Sequence, residues 1–177
     1  MSDNKISTVP AWLLKKSFKY PNKLEIFIGE KQAIEVRISG WNEIKKENLI
    51  LIAPEATLNL PLPKSVLARK KAVNEDKIKT RFIENINSPQ SLEKNLKRLE
   101  QGIEVRYLDH HGYSMSIRDE SIVVLEFPFP IDDLINFKIY DKNLAKSLKI
   151  FFNDLWKKAK PLTPALVKKF KLLWKQN

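Results

Sequence analysis

The two histidines of this chain, His110 and His111, are adjacent and lie between two apolar segments. An imidazole can act as a nucleophile, as an acid–base group or as a contact for a small ligand. The neighbouring Asp109 and Gly112 are typical turn residues. The alternatives are therefore a reactive or ligand-binding pair and a polar turn between two strands, and the residue types favour the turn.

Two arginines occupy corresponding places in two segments that read as parallel strands, Arg81 in 78–83 and Arg106 in 104–108. Side chains near the carboxyl ends of parallel strands face the usual ligand crevice. A guanidinium group binds phosphate or carboxylate through two parallel hydrogen bonds. Together with His110 and His111, these arginines are the candidate binding site for a small anionic effector.

The same arginines have a structural alternative, which is ion pairing with nearby acids such as Glu84 or Glu104. This is the commoner role for arginine in a strand. A metal centre is not expected, because the chain has no cysteine and only two histidines, so zinc would need carboxylates for its other ligands. We expect no cofactor.

The positive charge of the chain is concentrated at its C-terminal end. The net charge is +11, and residues 142–177 hold ten lysines and one acid, Asp154, which gives +9 (10 minus 1). The preceding residues carry only +2 (11 minus 9). The candidate nucleic-acid contacts are Lys168, Lys169, Lys171 and Lys175. A membrane-surface helix and a packing or dimer helix with solvated lysines are the alternatives, and the last is favoured.

Hydrophobic periodicity predicts an α/β fold with a mixed, mostly parallel sheet flanked by helices and with basic C-terminal helices. The predicted domains are an N-terminal arm (1–23), an α/β domain (24–161) and a basic C-terminal helix (162–177). The predicted strands are 24–28, 49–53, 78–83, 104–108, 114–117 and 121–127. The predicted helices are 31–46, 64–73, 91–101, 143–158 and one that begins at Pro164.

The chain has 177 residues, of which 43% are hydrophobic and 30% are charged. This composition is typical of a soluble globular protein. The polar N-terminus and the short apolar runs favour a cytoplasmic protein without membrane insertion.

Four segments in order resemble the phospholipase D-like effector domain of archaeal TrmB-type transcriptional regulators and related sensor proteins. They are Ile-Lys-Lys-Glu-Asn-Leu-Ile-Leu-Ile-Ala-Pro at 44–54, Lys-Thr-Arg-Phe-Ile at 79–83, Gly-Ile-Glu-Val-Arg-Tyr-Leu at 102–108, and a closing helix with Phe151, Phe152, Leu155, Trp156 and Pro161. The resemblance covers 24–161. It implies a phospholipase D-like fold, regulation of transcription through a bound effector, and a homodimer or larger assembly.

The chain departs from that pattern in two ways. Only residues 1–23 precede the first strand, too few for a winged helix-turn-helix. Active members of the phospholipase D family carry His-x-Lys-x4-Asp, in which the histidine attacks phosphorus and the lysine neutralises phosphate oxygens. Counted from His111, the lysine position holds Tyr113 and the aspartate position holds Arg118, with Asp119 one place late.

These departures predict a non-enzymatic, effector-binding regulatory protein. The first alternative is a nucleic-acid accessory protein that binds through its C-terminal lysines. The second is a degenerate phosphodiesterase or nuclease.

Overall fold

A computed structural model of the protein describes residues 23–53, 63–111, 113–127 and 135–174. The strands are β1 (Lys23–Ile28), β2 (Glu47–Ile52), β3 (Lys79–Glu84), β4 (Glu104–Tyr107), β5 (Ser114–Arg118), β6 (Ile122–Phe127), β7 (Ile135–Tyr140) and β8 (Lys160–Pro161). The helices are α1 (Glu30–Glu43), α2 (Pro63–Asn74), α3 (Pro89–Glu100), α4 (Lys142–Lys158) and α5 (Pro164–Leu173).

All the described strands form one sheet in the order β1-β7-β6-β5-β2-β3-β4-β8. The predicted α/β class and the mixed sheet are confirmed. The parallel part consists of β2, β3 and β4, whereas the other five neighbouring pairs of described strands are antiparallel. The sheet is therefore less parallel than the sequence suggests. Strand β7 was not predicted, and it is the neighbour through which β1 joins the sheet.

The two faces of the sheet differ in chemistry because alternate residues of a strand point to opposite sides. One side, the apolar face, packs against α4 through a core that includes Leu49, Ile83, Ile117, Val123 and Phe152. The other side, the polar face, lies against α1, α2 and α3. Its buried polar residues are Asn48, Thr80, Glu84, Arg118, Glu126, Asn136 and Lys138.

Helices α1 and α2 are anchored on the polar face by an apolar patch in which Trp41 and Ala72 pack against Ile50 of β2. Helix α3 begins at Pro89, two residues earlier than the sequence predicts. Its N-cap is Ser88, whose hydroxyl accepts from the Ser91 N–H at 3.1 Å. Ser91 is therefore the third residue of the helix (N3) within a capping box, and not the N-cap. Gly102, with φ 79°, follows the end of the helix as predicted.

Helix α5 packs across the edge of the sheet that ends in β4 and β8. Phe170 is buried among Ile86, Leu92 and Leu162, and its ring lies 5.1 Å from that of Tyr107 in an edge-to-face contact. The predicted N-terminal arm falls almost entirely on residues 1–22, and the end of the predicted C-terminal helix on 175–177. Both lie outside the described residues.

Candidate functional site

A cavity of about 200 Å³ lies between the polar face of the sheet and helices α1, α2 and α3. The charged residues that line it are Arg37, Arg69, Lys94, Arg98, Arg118, Glu84 and Glu126. In the described part of the chain, the lining thus carries three more positive than negative formal charges (five minus two). We call this cavity the cationic pocket. Its neutral polar lining residues are Asn48, Ser65, Ser114, Ser116 and Asn136.

Strand β5 supplies the floor of the cationic pocket through its two-residue alternation. Ser114, Ser116 and Arg118 lie on the polar face of the sheet. Met115 and Ile117 lie on the apolar face, in the core. The serine hydroxyls are used locally. Ser114 Oγ accepts from the Ala53 N–H at 3.0 Å, and Ser116 Oγ donates to Asn48 Oδ1 at 2.9 Å.

Arg118 is the most deeply buried cation of the pocket, with 5% of its surface exposed. Its Nη1 lies 3.5 Å from Glu43 Oε2, within an ion pair but without a hydrogen-bond partner among the described residues. The amide Nδ2 of Asn136 is likewise buried and unsatisfied within that part of the chain. Burial lowers the pKa of Arg118, since a guanidinium loses its hydration there, and Glu43 opposes the shift. Two buried donors of the pocket residues thus make no hydrogen bond in the described part of the chain, and Glu43 Oε2 beside Arg118 is a buried acceptor that makes none either.

Two of the remaining cations are neutralised by the pocket's own acids. Arg37 pairs with Glu126, and Arg98 pairs with Glu84. The guanidinium of Arg98 also stacks over the ring of Phe82 at 4.4 Å.

Arg69 and Lys94 lie close to other cations of the pocket, and the pKa of each is lowered. Burial and the charge of Arg98 lower the pKa of Arg69 to about 10, although its Nε donates to Gln101 Oε1 at 3.0 Å. Burial is also the main reason that the pKa of Lys94 is lowered, and the charges of Arg98 and Arg37 add to it. Lowered pKa values of basic groups mean that the pocket disfavours its own positive charge. An anion would relieve that strain.

A chain of ion pairs runs from the cationic pocket to the edge of the sheet. Glu43 contacts Arg118 and also Lys138 of β7, whose Nζ donates to Glu43 Oε1 at 2.6 Å. Lys138 Nζ is in turn 3.8 Å from Glu25 Oε2 of β1, which accepts from the Tyr140 hydroxyl at 3.0 Å. Burial disfavours the charged form of Lys138, but the hydrogen bond with Glu43 helps to outweigh it, so the pKa of Lys138 is raised.

Asp119, which lies one place beyond the motif's aspartate position, has a structural role. Its carboxylate accepts the backbone N–H groups of Lys45, Lys46 and Glu47 at 2.7, 2.8 and 2.8 Å. These contacts tie the β5–β6 turn to the segment that leads into β2.

Arg81 and Arg106 do not line the cationic pocket. They lie on the apolar face, where Arg81 Nη2 donates to Glu47 Oε1 at 3.0 Å and Arg106 Nη1 donates to the Trp156 carbonyl at 2.8 Å. Both guanidinium groups stack on the Trp156 ring, at 5.3 and 4.5 Å. The predicted structural role of Arg81 is correct, but its acid is Glu47 rather than Glu84 or Glu104.

The histidines lie in the segment between β4 and β5, outside the lining of the pocket. His111 is exposed and His110 is half-buried. Burial lowers the pKa of His110, and a hydrogen bond with the backbone of Ile52 opposes the shift. Tyr113, at the motif's lysine position, is exposed as well. The predicted turn between two strands agrees with these positions.

The candidate nucleic-acid contacts Lys168, Lys169 and Lys171 are all exposed on α5. Lys175 lies outside the described residues. The helix therefore presents its lysines outward and buries Phe170.

The sequence interpretation missed the cationic pocket, although a signal was present. Polar residues alternate with apolar ones in both Ser114–Arg118 and Ile135–Tyr140, and a polar series on strands of a central sheet must be either solvated or buried together. The sequence does not show which of the two holds.

The comparisons with known proteins concern the fold. No protein-family model matches the chain, and no curated protein sequence does. The chain is similar in structure to TrmBL2, an archaeal chromatin protein, at TM-score 0.62 and 22% identity over 86% of this chain and 58% of that one. It is also similar to Nuc from Salmonella typhimurium, a phospholipase D family member (TM-score 0.66, 14% identity, 79% of this chain and 97% of that one). NucT from Helicobacter pylori is similar at TM-score 0.65 and 18% identity, over 80% of this chain and 99% of that one.

The chain has the phospholipase D-like fold. The predicted resemblance is thus confirmed for the fold, and the TrmB-type protein TrmBL2 shares it. The prediction that the protein is not an enzyme is wrong, because Nuc and NucT, which share the phospholipase D-like fold, point to enzymes. The chain spans 58% of the length of TrmBL2. None of the described helices is long and apolar enough to cross a bilayer.

Proposed function

We propose that the protein binds an anionic, phosphate-bearing ligand in the cationic pocket. The observation that carries the proposal is the buried guanidinium of Arg118, a residue that lines a cavity rich in cations and whose Nη1 makes no hydrogen bond among the described residues. A buried donor without an acceptor costs about 1–3 kcal/mol. A phosphate oxygen would supply the acceptor, and its charge would relieve the repulsion among Arg69, Lys94 and Arg98.

Binding of the ligand can affect other parts of the fold through a series of shared ion pairs. An anion on Arg118 competes with Glu43, and Glu43 is shared with Lys138 of β7. Lys138 contacts Glu25 of the edge strand β1. The ligand can therefore act as an effector by altering which carboxylate holds which cation.

Calorimetric titration of the intact protein with inorganic phosphate tests the proposal. Arg69→Gln removes one cation without emptying a buried ion pair, and Lys168→Gln removes an exposed one outside the pocket. The expected result is binding that weakens about tenfold in Arg69→Gln, a change of about 1.4 kcal/mol, and is unchanged in Lys168→Gln. Equal weakening in the two variants, or none in either, would show that the pocket is not the site.

A second candidate function is nucleic-acid binding through α5. Its lysines Lys168, Lys169 and Lys171 are exposed side by side, and TrmBL2, which shares the fold, binds DNA. Such binding should weaken steeply with salt, and each lysine that contacts a phosphate should contribute about one unit to the slope of log K against log salt. Triple substitution of these lysines by glutamine should reduce the slope. Retention of the full slope would place any nucleic-acid contact elsewhere.

A further inference from the structure

We infer that Lys138 is a positioning residue for anion binding, because it holds Glu43 away from Arg118 and so keeps that guanidinium available to the ligand. Glu43 is then an internal competitor of the ligand. This role rests on the proposed function and adds to it the contact that regulates the affinity of the same site. Glu43 ends α1 and Lys138 lies in β7, and neither of them lines the cationic pocket, whereas Arg118 does.

The carboxylate of Glu43 lies between two cations and binds them unequally. Its Oε1 accepts from Lys138 Nζ at 2.6 Å, which is a short, charge-assisted hydrogen bond. Its Oε2 lies 3.5 Å from Arg118 Nη1, outside the usual range of about 2.7–3.2 Å. Neither Oε2 nor Nη1 makes a hydrogen bond in the described part of the chain. Glu43 is therefore hydrogen-bonded to Lys138 and only close to Arg118.

The gap between Oε2 and Nη1 is small enough for rotation of the Glu43 side chain to close it. A shift of roughly 0.6 Å would bring the two atoms to about 2.9 Å, the usual length of such a bond. The side chain of Glu43 is 34% exposed and has room to move, whereas that of Arg118 is only 6% exposed. Closure would place a carboxylate on the guanidinium that the proposed anion needs, so Glu43 and the anion exclude each other.

Lys138 opposes this closure because it holds the same carboxylate. Its side chain is 4% exposed, and a buried ammonium depends on an acid to compensate for its lost hydration. The other acid near it is Glu25, whose Oε2 is farther away, at 3.8 Å from Nζ. Helix α1 offers Glu43 no cation of its own, since its last turn contains no basic residue. The lysine therefore keeps Glu43 on the β7 side and leaves Arg118 free for an anion.

The position of Glu43 consequently sets the measured affinity. A ligand that needs Arg118 binds only those molecules in which Glu43 has not closed on it, so the apparent dissociation constant is the intrinsic one divided by their fraction. Removal of Lys138 lowers this fraction, because Glu43 loses its stronger partner. The loss of affinity should then depend on Glu43, and it should disappear when Glu43 is made neutral.

A double-mutant cycle on phosphate affinity tests this dependence, measured by calorimetry on the intact protein with inorganic phosphate. The four proteins are the unsubstituted chain, Lys138→Met, Glu43→Gln and the double variant. We expect Lys138→Met to bind at least about fivefold more weakly, and the double variant to bind within about twofold of Glu43→Gln. Lys97→Met is the matched control, since it removes an exposed lysine and should leave the affinity unchanged.

Circular dichroism establishes that each variant is folded at the temperature of the titration. If Lys138→Met is too unstable to titrate, Lys138→Gln, which keeps a polar group at this buried position, takes its place in the same cycle. The expected result is again that Glu43→Gln abolishes the effect of the substitution at Lys138.

The possible results distinguish the role of Lys138 from the function on which it rests. Restoration of the affinity by Glu43→Gln supports the role. An equal loss of affinity in both backgrounds would mean that Lys138 acts through its own charge, which overturns the role and leaves anion binding in the pocket intact. Unchanged affinity in Lys138→Met overturns it as well. If the unsubstituted protein does not bind phosphate, the proposed function itself fails, and the role of Lys138 fails with it.

Discussion

The guanidinium of Arg118 lies directly against the backbone of Gly40 in α1. A Cβ atom added at Gly40 would be 2.4 Å from Cζ, Nη1 and Nη2 of Arg118, far inside van der Waals contact. Gly40 is therefore the residue that lets a buried arginine of β5 pass under a helix and reach Glu43 and the cationic pocket. A helical glycine costs about 1 kcal/mol relative to alanine, which makes its presence at a helical position informative.

Substitution Gly40→Ala should displace the Arg118 guanidinium from the pocket. We expect phosphate affinity to fall at least about tenfold, because the buried donor no longer points at the ligand. Helix content, followed by circular dichroism, should be retained because alanine favours the helix. The matched control is Ser39→Ala, which changes an exposed neighbour in the same helix. Unchanged affinity in Gly40→Ala would show that Arg118 does not bind the ligand.

Replacing Asp119 by alanine should destabilise the fold, because three backbone N–H groups lose their shared acceptor. The expected loss in the free energy of unfolding is about 1–3 kcal/mol, measured by urea denaturation. Asp154→Ala on α4 is the control, since that carboxylate makes an exposed ion pair with Lys157 and should cost no more than about 0.5 kcal/mol. Similar losses in the two variants would contradict the structural role of Asp119.

Replacing Lys138 by methionine should also destabilise the fold. The lysine is 4% exposed in its side chain, and its removal leaves Glu43 and Glu25 facing each other with one cation fewer. Because Glu43 is about a third exposed, the expected loss is about 1–3 kcal/mol, below the 3–5 kcal/mol of a fully buried pair. Lys97→Met, which breaks an exposed pair with Glu93 four residues away, should leave the free energy of unfolding nearly unchanged. A stable Lys138→Met protein would mean that the ion-pair chain contributes little.

The lowered pKa of His110 predicts a loss of stability in mild acid. Its folded pKa lies below the unfolded value of about 6.5, so the unfolded chain binds more protons as the pH falls below that value. The free energy of unfolding should therefore decrease as the pH falls from 6.5 through the folded pKa of His110. In His110→Gln this part of the decrease should be absent, while His111→Gln, which alters an exposed imidazole, should behave like the unsubstituted protein. Parallel pH profiles for all three proteins would refute the assignment.

The limits of prediction from this sequence follow from the range of the interactions involved. Helix α4 and strands β2 to β6 were predictable, because their hydrophobic periodicity is local. Strand β7 was missed because its buried positions include Asn136 and Lys138, which are polar in sequence and are balanced only by partners far along the chain, such as Glu43.

The same reason explains why the contacts of the predicted site residues were not foreseen. The partners of Arg81 and Arg106 are Glu47 and Trp156, and neither is close in sequence to the arginine that it contacts. The cationic pocket draws its cations from three helices and one strand, so no single motif reveals it. The predicted homodimer and the predicted effector stay predictions.

A crystal structure of the protein grown with tungstate, a heavy tetrahedral dianion that stands in for phosphate, tests the central claim most directly. The account predicts tungsten density in the cationic pocket, with oxygen atoms within hydrogen-bond distance of Arg118 Nη1 and facing Arg69. Density found only beside the exposed lysines of α5, with the pocket empty, would contradict it.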